Sequence, residues 1–230
     1  TDLGVLADTL PAYYGLSDGA WQHWSRVWNL DYEWVKSRFD SAKYDGGGGN
    51  MAPSMNNKGI TVSRWIDGIL EGPANISQKD KFRAVFLWGH APNSQTRGPE
   101  MKKAMEEVDL LVVVDPYPTH TAVLPDRDDD FYLLPACTQF ETYGSVTASN
   151  RSLQWRDKVI DPLFESLPDH IIMYKLAKKL GFDGELFKNI QVNGEEPLIE
   201  DITREINRGM WTIGYTGQSP ERLKLHMENK

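Results

Sequence analysis

The sequence has one cysteine, Cys137, among 230 residues. One thiol cannot close an internal disulfide, and it cannot by itself build an iron–sulfur cluster or a thiolate zinc site. Compartment is left undecided, cytoplasm or bacterial periplasm. The five histidines, His23, His90, His120, His170 and His226, show neither HExxH nor HxxxH spacing, so a metal held by this chain alone is not expected. No run of about 18 apolar residues occurs, so neither a membrane span nor direct membrane insertion is expected. The opening residues do not read as a signal peptide. They begin on Thr1 in mid-pattern, as expected of an excised fragment or a processed product. Basic excess is missing too: the formal charge is -8, which argues against a dedicated nucleic-acid binder. Neither GxGxxG nor the P-loop pattern GxxxxGK is present, so an ordinary dinucleotide fold and a P-loop are both poorly supported.

What is present is ordinary for a globular protein, with 40% hydrophobic and 25% charged residues, apart from a high count of 8 Trp. The length suits one large domain or two small ones. Residues 17–29 read as a helix capped by Ser17 or Asp18, with Trp21, Trp24 and Trp28 on one face. That stripe reads as core-facing; a stacking platform for bases would need basic company, and none is there. Gly46 to Gly49 read as a surface loop without the helix start that a phosphate cradle requires. A helix is expected over 60–70, with Val62, Trp65, Ile66, Ile69 and Leu70 on one face and Gly72-Pro73 stopping it.

The pattern then changes. Ala84 to Trp88 is a short continuous apolar run, the mark of a strand buried on both faces. Pro99 opens a helix through Met101, Ala104, Met105 and Val108. Leu110 to Val114 is a second buried strand ending at Asp115-Pro116, and Tyr132 to Pro135 reads as a third. A strand–helix–strand unit of this length predicts parallel pairing. Residues 136–156 are polar with little periodicity. A helix is expected over 169–180, capped by Asp169, lined by Ile172, Leu176 and Leu180, with Lys178 and Lys179 in its last turn and Gly181 ending it. Another is expected over 199–208, and the charged tail is expected to fray. The fold class is therefore α/β: a Rossmann-like, mostly parallel sheet flanked by helices over residues 1–135, followed by a smaller α+β segment over 136–230.

In open α/β sheets, ligands bind beyond the carboxyl ends of the strands. Three such ends are visible: Trp88-Gly89-His90 with Pro92; Asp115 with Thr119, His120 and Thr121; and Pro135 onward. Gly89 has no Cβ, so a ligand can approach its backbone. A carboxylate at Asp115 can accept from two ribose hydroxyls or from guanine N1–H and N2–H, while a helix or turn cap is its ordinary alternative. Thr119 and Thr121 offer hydroxyls to phosphate. His90 and His120 read as polar loop residues. Glu141 and Asp157 do not make a supported acid–base pair.

At these same loops the sequence resembles the catalytic subunit of molybdenum- or tungsten-dependent formate dehydrogenases, in the dimethyl sulfoxide reductase superfamily. Four stretches carry the resemblance, in order along the chain. They are Thr1-Asp2-Leu3-Gly4 with Leu10-Pro11-Ala12-Tyr13; Trp88-Gly89-His90-Ala91-Pro92, where Ala91 replaces the usual Asn; Val113-Val114-Asp115-Pro116 with Thr119-His120-Thr121-Ala122; and Leu134-Pro135 with Glu141, Gly144-Ser145, Asn150-Arg151 and Gln154. The third is similar to the strand and loop that meet the guanosine end of the cofactor, and the fourth to the loop leading back beneath the pterin. The resemblance implies a molybdopterin guanine dinucleotide carrying Mo or W, and whole enzymes that interconvert formate and carbon dioxide. It implies two partners, the remainder of the catalytic subunit and an electron-transfer iron–sulfur subunit. The family's metal-ligating Cys or selenocysteine, its active-site His and Arg, and its cluster cysteines lie upstream of Thr1, and Cys137 is not in the metal-ligand motif. No catalytic or metal-ligating residue is thus assigned, and the chain is expected to be inactive alone. Competing readings are another bis-pterin oxidoreductase such as a nitrate reductase, a cofactor-free interaction domain, and a self-sufficient enzyme, for which no nucleophile–base pair is visible.

Overall fold

The computed structural model describes residues 31–34, 64–76, 80–90, 97–148, 152–209 and 218–227. The expected helix at 17–29, the Gly46–Gly49 run, the Thr1 to Tyr13 segment, Pro92, Asn150 and Arg151 lie outside the described residues. The chain divides into two compact units, one over Ile60–Thr138 with Pro162–Leu167, the other including Gln139–Asp161 and Pro168–Lys230.

The first unit is the α/β part. Helix α1 (Trp65–Leu70) is followed by a 3-10 turn, Pro73–Ile76. Strand β1 (Ala84–Trp88), helix α2 (Gly98–Glu107), strand β2 (Leu110–Asp115), the single-turn helix α3 (His120–Val123) and strand β3 (Phe131–Pro135) come next. The strands form one parallel sheet in the order β1-β2-β3, with Phe86 opposite Val112 and Val112 opposite Tyr132. Parallel pairing needs a crossover, and α2 supplies the one between β1 and β2.

The alternation of each strand decides what that helix covers. Leu87, Leu111 and Val113 share a face and pack with Met101, Ala104, Met105, Val108, Ile66 and Ile69 into one core. The opposite face is less covered. Val112 and Val114 are buried on it, but Phe86 is 45% exposed and Tyr132 53%. The expectation that β1 is buried on both faces is therefore corrected: it alternates, and only β2, in the middle of the sheet, is buried continuously.

The second unit mixes short hairpins with helices. Residues 136–156, read above as polar and irregular, contain an antiparallel hairpin of β4 (Gly144–Thr147) and β5 (Leu153–Arg156). Then follow α4 (Asp169–Leu180), the single-turn α5 (Asp183–Leu186), a two-residue hairpin of β6 (Val192–Asn193) and β7 (Glu196–Pro197), α6 (Ile199–Gly209) and α7 (Pro220–His226). Helix α4 has the expected bounds, and Gly181 closes it in a left-handed conformation at φ +78. Two details differ. Pro168 occupies the cap position with no side-chain cap bond, so Asp169 lies inside the first turn, where its charge favours the helix dipole. Leu180 is 63% exposed, and the buried stripe runs instead through Ile172, Tyr174 and Ala177. Tyr174 meets Phe187 edge-on at 5.2 Å. Within the charged tail, residues 220–226 form α7: Ser219 caps it, its Oγ accepting from the Arg222 N–H at 3.2 Å, and Leu223 is buried with Trp155 and Ile199. No described helix is long and apolar enough to cross a membrane.

Candidate functional site

The carboxyl ends of β1, β2 and β3 fall on one edge of the parallel sheet, as the register requires. Among the described residues, hydrogen bonds tie the strand ends together there. The Gly89 N–H donates to the Val114 carbonyl at 2.8 Å, and Thr121 Oγ1 donates to the His90 carbonyl at 3.1 Å. Gly89 adopts φ +54, a left-handed conformation that favours glycine, and no atom lies within 4 Å of where its Cβ would stand. Trp88 and Asp115 are half-buried at their strand ends, while His90 and His120 are exposed. Thr121 is fully buried, so its hydroxyl is committed to holding this edge together rather than to a ligand.

Thr119 differs. It stands at the cap of α3, where a Thr hydroxyl ordinarily accepts from a backbone N–H of the first turn. Here it makes no cap bond. Its Oγ1 is buried with no hydrogen-bond partner. A buried hydroxyl left unpaired costs stability. An orphaned donor in the loop after β2 is what this edge would show if a polar ligand completed it, and a phosphate-bearing cofactor fits that requirement.

The remaining predicted site residues lie in the second unit. Glu141 is buried, 4% exposed. Gly144 opens β4 at φ +138, and a Cβ there would stand 2.9 Å from Ile199 Cγ2. Packing against α6 thus already accounts for a glycine at that position. Gln154 is exposed on β5, opposite Val146. Among the described residues no group of three or more His, Cys, Asp or Glu could hold a metal ion.

A family model described as molybdopterin oxidoreductase matches residues 42–179, more than half of the chain. The chain belongs to the molybdopterin oxidoreductase family. Its sequence is 31% identical over 227 residues to the F420-dependent formate dehydrogenase subunit alpha of Methanocaldococcus jannaschii, covering 97% of this chain and 26% of that protein. It is 28% identical over 198 residues to a trimethylamine-N-oxide reductase of Vibrio cholerae, covering 80% of this chain and 22% of the relative. A formate dehydrogenase subunit alpha of Megalodesulfovibrio gigas is 24% identical over 166 residues, 68% of this chain and 16% of the relative. The chain thus spans about a quarter or less of the relatives it matches. Family membership brings a molybdopterin cofactor, and the matched segment contains all three strand ends described above.

Two arginine contacts escaped the sequence reading, and the second lies toward the amino ends of β2 and β3, away from the site. Arg97 takes a left-handed backbone at φ +69 and ion-pairs through Nη1 with Asp67 Oδ1 at 2.6 Å. Arg127, with 7% of its side chain exposed, donates to the carbonyls of Met105, Val108 and Asp129. Neither has a spacing signature: Asp67 and Arg97 are 30 residues apart, and only the fold brings them together.

Proposed function

We propose that the carboxyl edge of the parallel sheet holds the nucleotide end of a molybdopterin guanine dinucleotide in the catalytic subunit of a formate dehydrogenase. The observation that carries this is the buried Thr119 hydroxyl without a partner in the loop between β2 and α3, within a segment matched by the molybdopterin oxidoreductase model. On this reading Trp88, Gly89, His90 and Pro92 border the cofactor after β1. Asp115 accepts from the guanosine, and Thr119 donates to a phosphate oxygen, with Thr121 bracing the loop beneath. Glu141, Gly144, Asn150, Arg151 and Gln154 serve the pterin side. The bound group carries Mo or W and supplies the redox chemistry. The residues of this chain bind and orient it, which is where a protein most affects a cofactor it does not chemically replace. Iron–sulfur clusters, the metal ligand and the electron-transfer partner subunit belong to the remainder of the enzyme.

Formate is favoured over other substrates because the Methanocaldococcus jannaschii relative aligns along 97% of the chain. Similarity to trimethylamine-N-oxide reductases along 80% supports a second reading, a reductase of N-oxides on the same cofactor. The full-length subunit separates them. Reduction of a viologen dye by formate is the expected activity; oxidation of reduced viologen by trimethylamine N-oxide, with none on formate, selects the second. For the site itself, Thr119→Val keeps the shape and removes the spare hydroxyl. Fold stability should hold or rise, because an unpaired polar atom is deleted, while the molybdopterin retained per mole of protein falls. Acid hydrolysis should release GMP from the extracted cofactor. Full retention in Thr119→Val, or no GMP, defeats the nucleotide-end assignment.

A further inference from the structure

A short segment of the first unit, Pro162–Leu167, returns to the end of β3. Leu167 pairs there with Ala136 in a parallel bridge: its N–H donates to the Pro135 carbonyl at 3.1 Å, and its carbonyl accepts from the Cys137 N–H at 2.9 Å. Just ahead of the bridge the chain turns tightly. The Leu163 carbonyl accepts from the Ser166 N–H at 3.1 Å and from Ser166 Oγ at 2.7 Å. Inside that turn stands Phe164, in a left-handed backbone at φ +55 and with its side chain fully exposed. Leu163 beside it is more than half exposed. Both features of Phe164 are unfavourable. A bulky side chain resists the left-handed region, and a ring in water forgoes the gain that burial brings. Glycine would avoid both. None of the bonds that close the turn uses the ring. The turn thus holds a strained aromatic side chain out from the surface in a fixed place, and an ordered aromatic ring is what an interface anchor requires.

Two further observations bear on what receives it. The strand that anchors the turn, β3, ends the order β1-β2-β3 and leaves Tyr132 and Leu133 exposed on opposite faces, so it lacks the cover that a parallel sheet ordinarily has. The chain also aligns along 97% of itself with 26% of the Methanocaldococcus jannaschii relative, so the larger part of that protein has no counterpart here. Strain and exposure that are always present suit a permanent apolar contact within one polypeptide better than a reversible encounter with another subunit. We infer that Phe164 is a docking anchor, inserting into an apolar pocket formed by the part of the same subunit that lies outside this chain. The inference does not depend on which cofactor or substrate the sheet edge serves, only on this chain being part of a longer subunit.

The test is made on the full-length subunit. In Phe164→Gly the turn takes its left-handed backbone freely and the ring is gone. Were the ring in water, this change would stabilise the protein, because strain and exposed apolar surface both disappear. If the ring fills a pocket, the change leaves a cavity, and the melting temperature should fall by several degrees. The occupant is read separately, by placing the photo-crosslinker p-benzoylphenylalanine at position 164 and mapping the irradiated subunit by peptide mass. Crosslinks should run to peptides of the same polypeptide outside Thr1–Lys230. A melting temperature that rises or stays unchanged in Phe164→Gly overturns the anchor. Crosslinks confined to a second subunit or to residues within this chain also overturn it, and so does their absence. Each of these failures leaves the cofactor reading standing.

Discussion

Thr121 and His90 are 31 residues apart, yet the Thr121 hydroxyl donates to the His90 carbonyl at 3.1 Å and ties the loop after β1 to the helix after β2. Thr121 is fully buried, so water cannot replace it. Thr121→Val preserves shape and removes the donor. It should cost about 1 kcal/mol in denaturant unfolding, the usual net worth of such a bond. Thr121→Ser keeps the hydroxyl and should retain the bond while losing a methyl group. Indistinguishable unfolding midpoints for Thr121→Val and wild type would show that the bond does not brace the edge.

Arg127 makes a comparable join on the opposite side of β2. Its guanidinium donates to Met105 at 3.0 Å and Val108 at 2.6 Å, closing the carboxyl end of α2, and to Asp129 at 2.9 Å before β3. These are carbonyls that a helix end leaves without intrahelical donors. Replacing Arg127 with Leu keeps part of the apolar stem and strands the carbonyls. The loss should be about 1.5–3 kcal/mol, the range for hydrogen bonds to charged groups. Arg127→Lys should recover only part of it, because a single ammonium cannot span three acceptors as a planar fork does.

What the sequence made legible follows from the range of each interaction. The Leu110 to Val114 run and the 3-4 spacing of Met101, Ala104, Met105 and Val108 are local patterns, and they gave the strand, the helix and their parallel partner. Gly181 marked the end of α4 for the same reason. The uneven cover of β1 was not legible: an apolar run says that a strand can be buried, and only the sheet's packing says on which side. The β4–β5 hairpin was hidden because Gly144 to Arg156 lacks clean alternation. Its register is held by cross-strand pairs such as Ser145 with Trp155, and by Trp155 packing with Ile199 and Leu223. At the site, strand ends and Gly89 could be read in advance. The orphaned Thr119 hydroxyl and the Asp67–Arg97 pair could not, since both depend on which groups the fold leaves unpaired or brings together.

Gly144 shows how a glycine at a motif position can be required by packing. A Cβ on it would press Ile199 Cγ2 at 2.9 Å, and φ +138 adds strain for any other residue. Gly144→Ala should destabilise by roughly 1–3 kcal/mol, as overpacking does. The two causes separate in a double-mutant cycle with Ile199→Ala. The clash disappears in that background and the backbone strain stays, so the cost of Gly144→Ala should fall without vanishing. An unchanged cost assigns the glycine to backbone conformation alone.

His170 carries a pH signature in the second unit. It lies in the first turn of α4, on a cleft shared with Met173, Phe187 and Ile199. Its Nε2 is buried with no hydrogen-bond partner. Burial lowers its pKa below the ordinary histidine value, against the pull of Glu196 and Asp169. The sign follows from which state takes the proton. In the unfolded chain His170 protonates as pH falls through about 6.5; in the folded protein the desolvated ring resists the charge. The unfolded state binds more protons there, so stability must drop as pH falls from neutral toward the lowered folded value. His170→Gln cannot titrate and should melt with a shallower pH dependence between about pH 7.5 and 5.5. His170→Leu, which also deletes the unpaired nitrogen, should match that slope and gain stability at neutral pH. Parallel melting curves for wild type and both variants across this range would show that the ring is not held neutral by its surroundings.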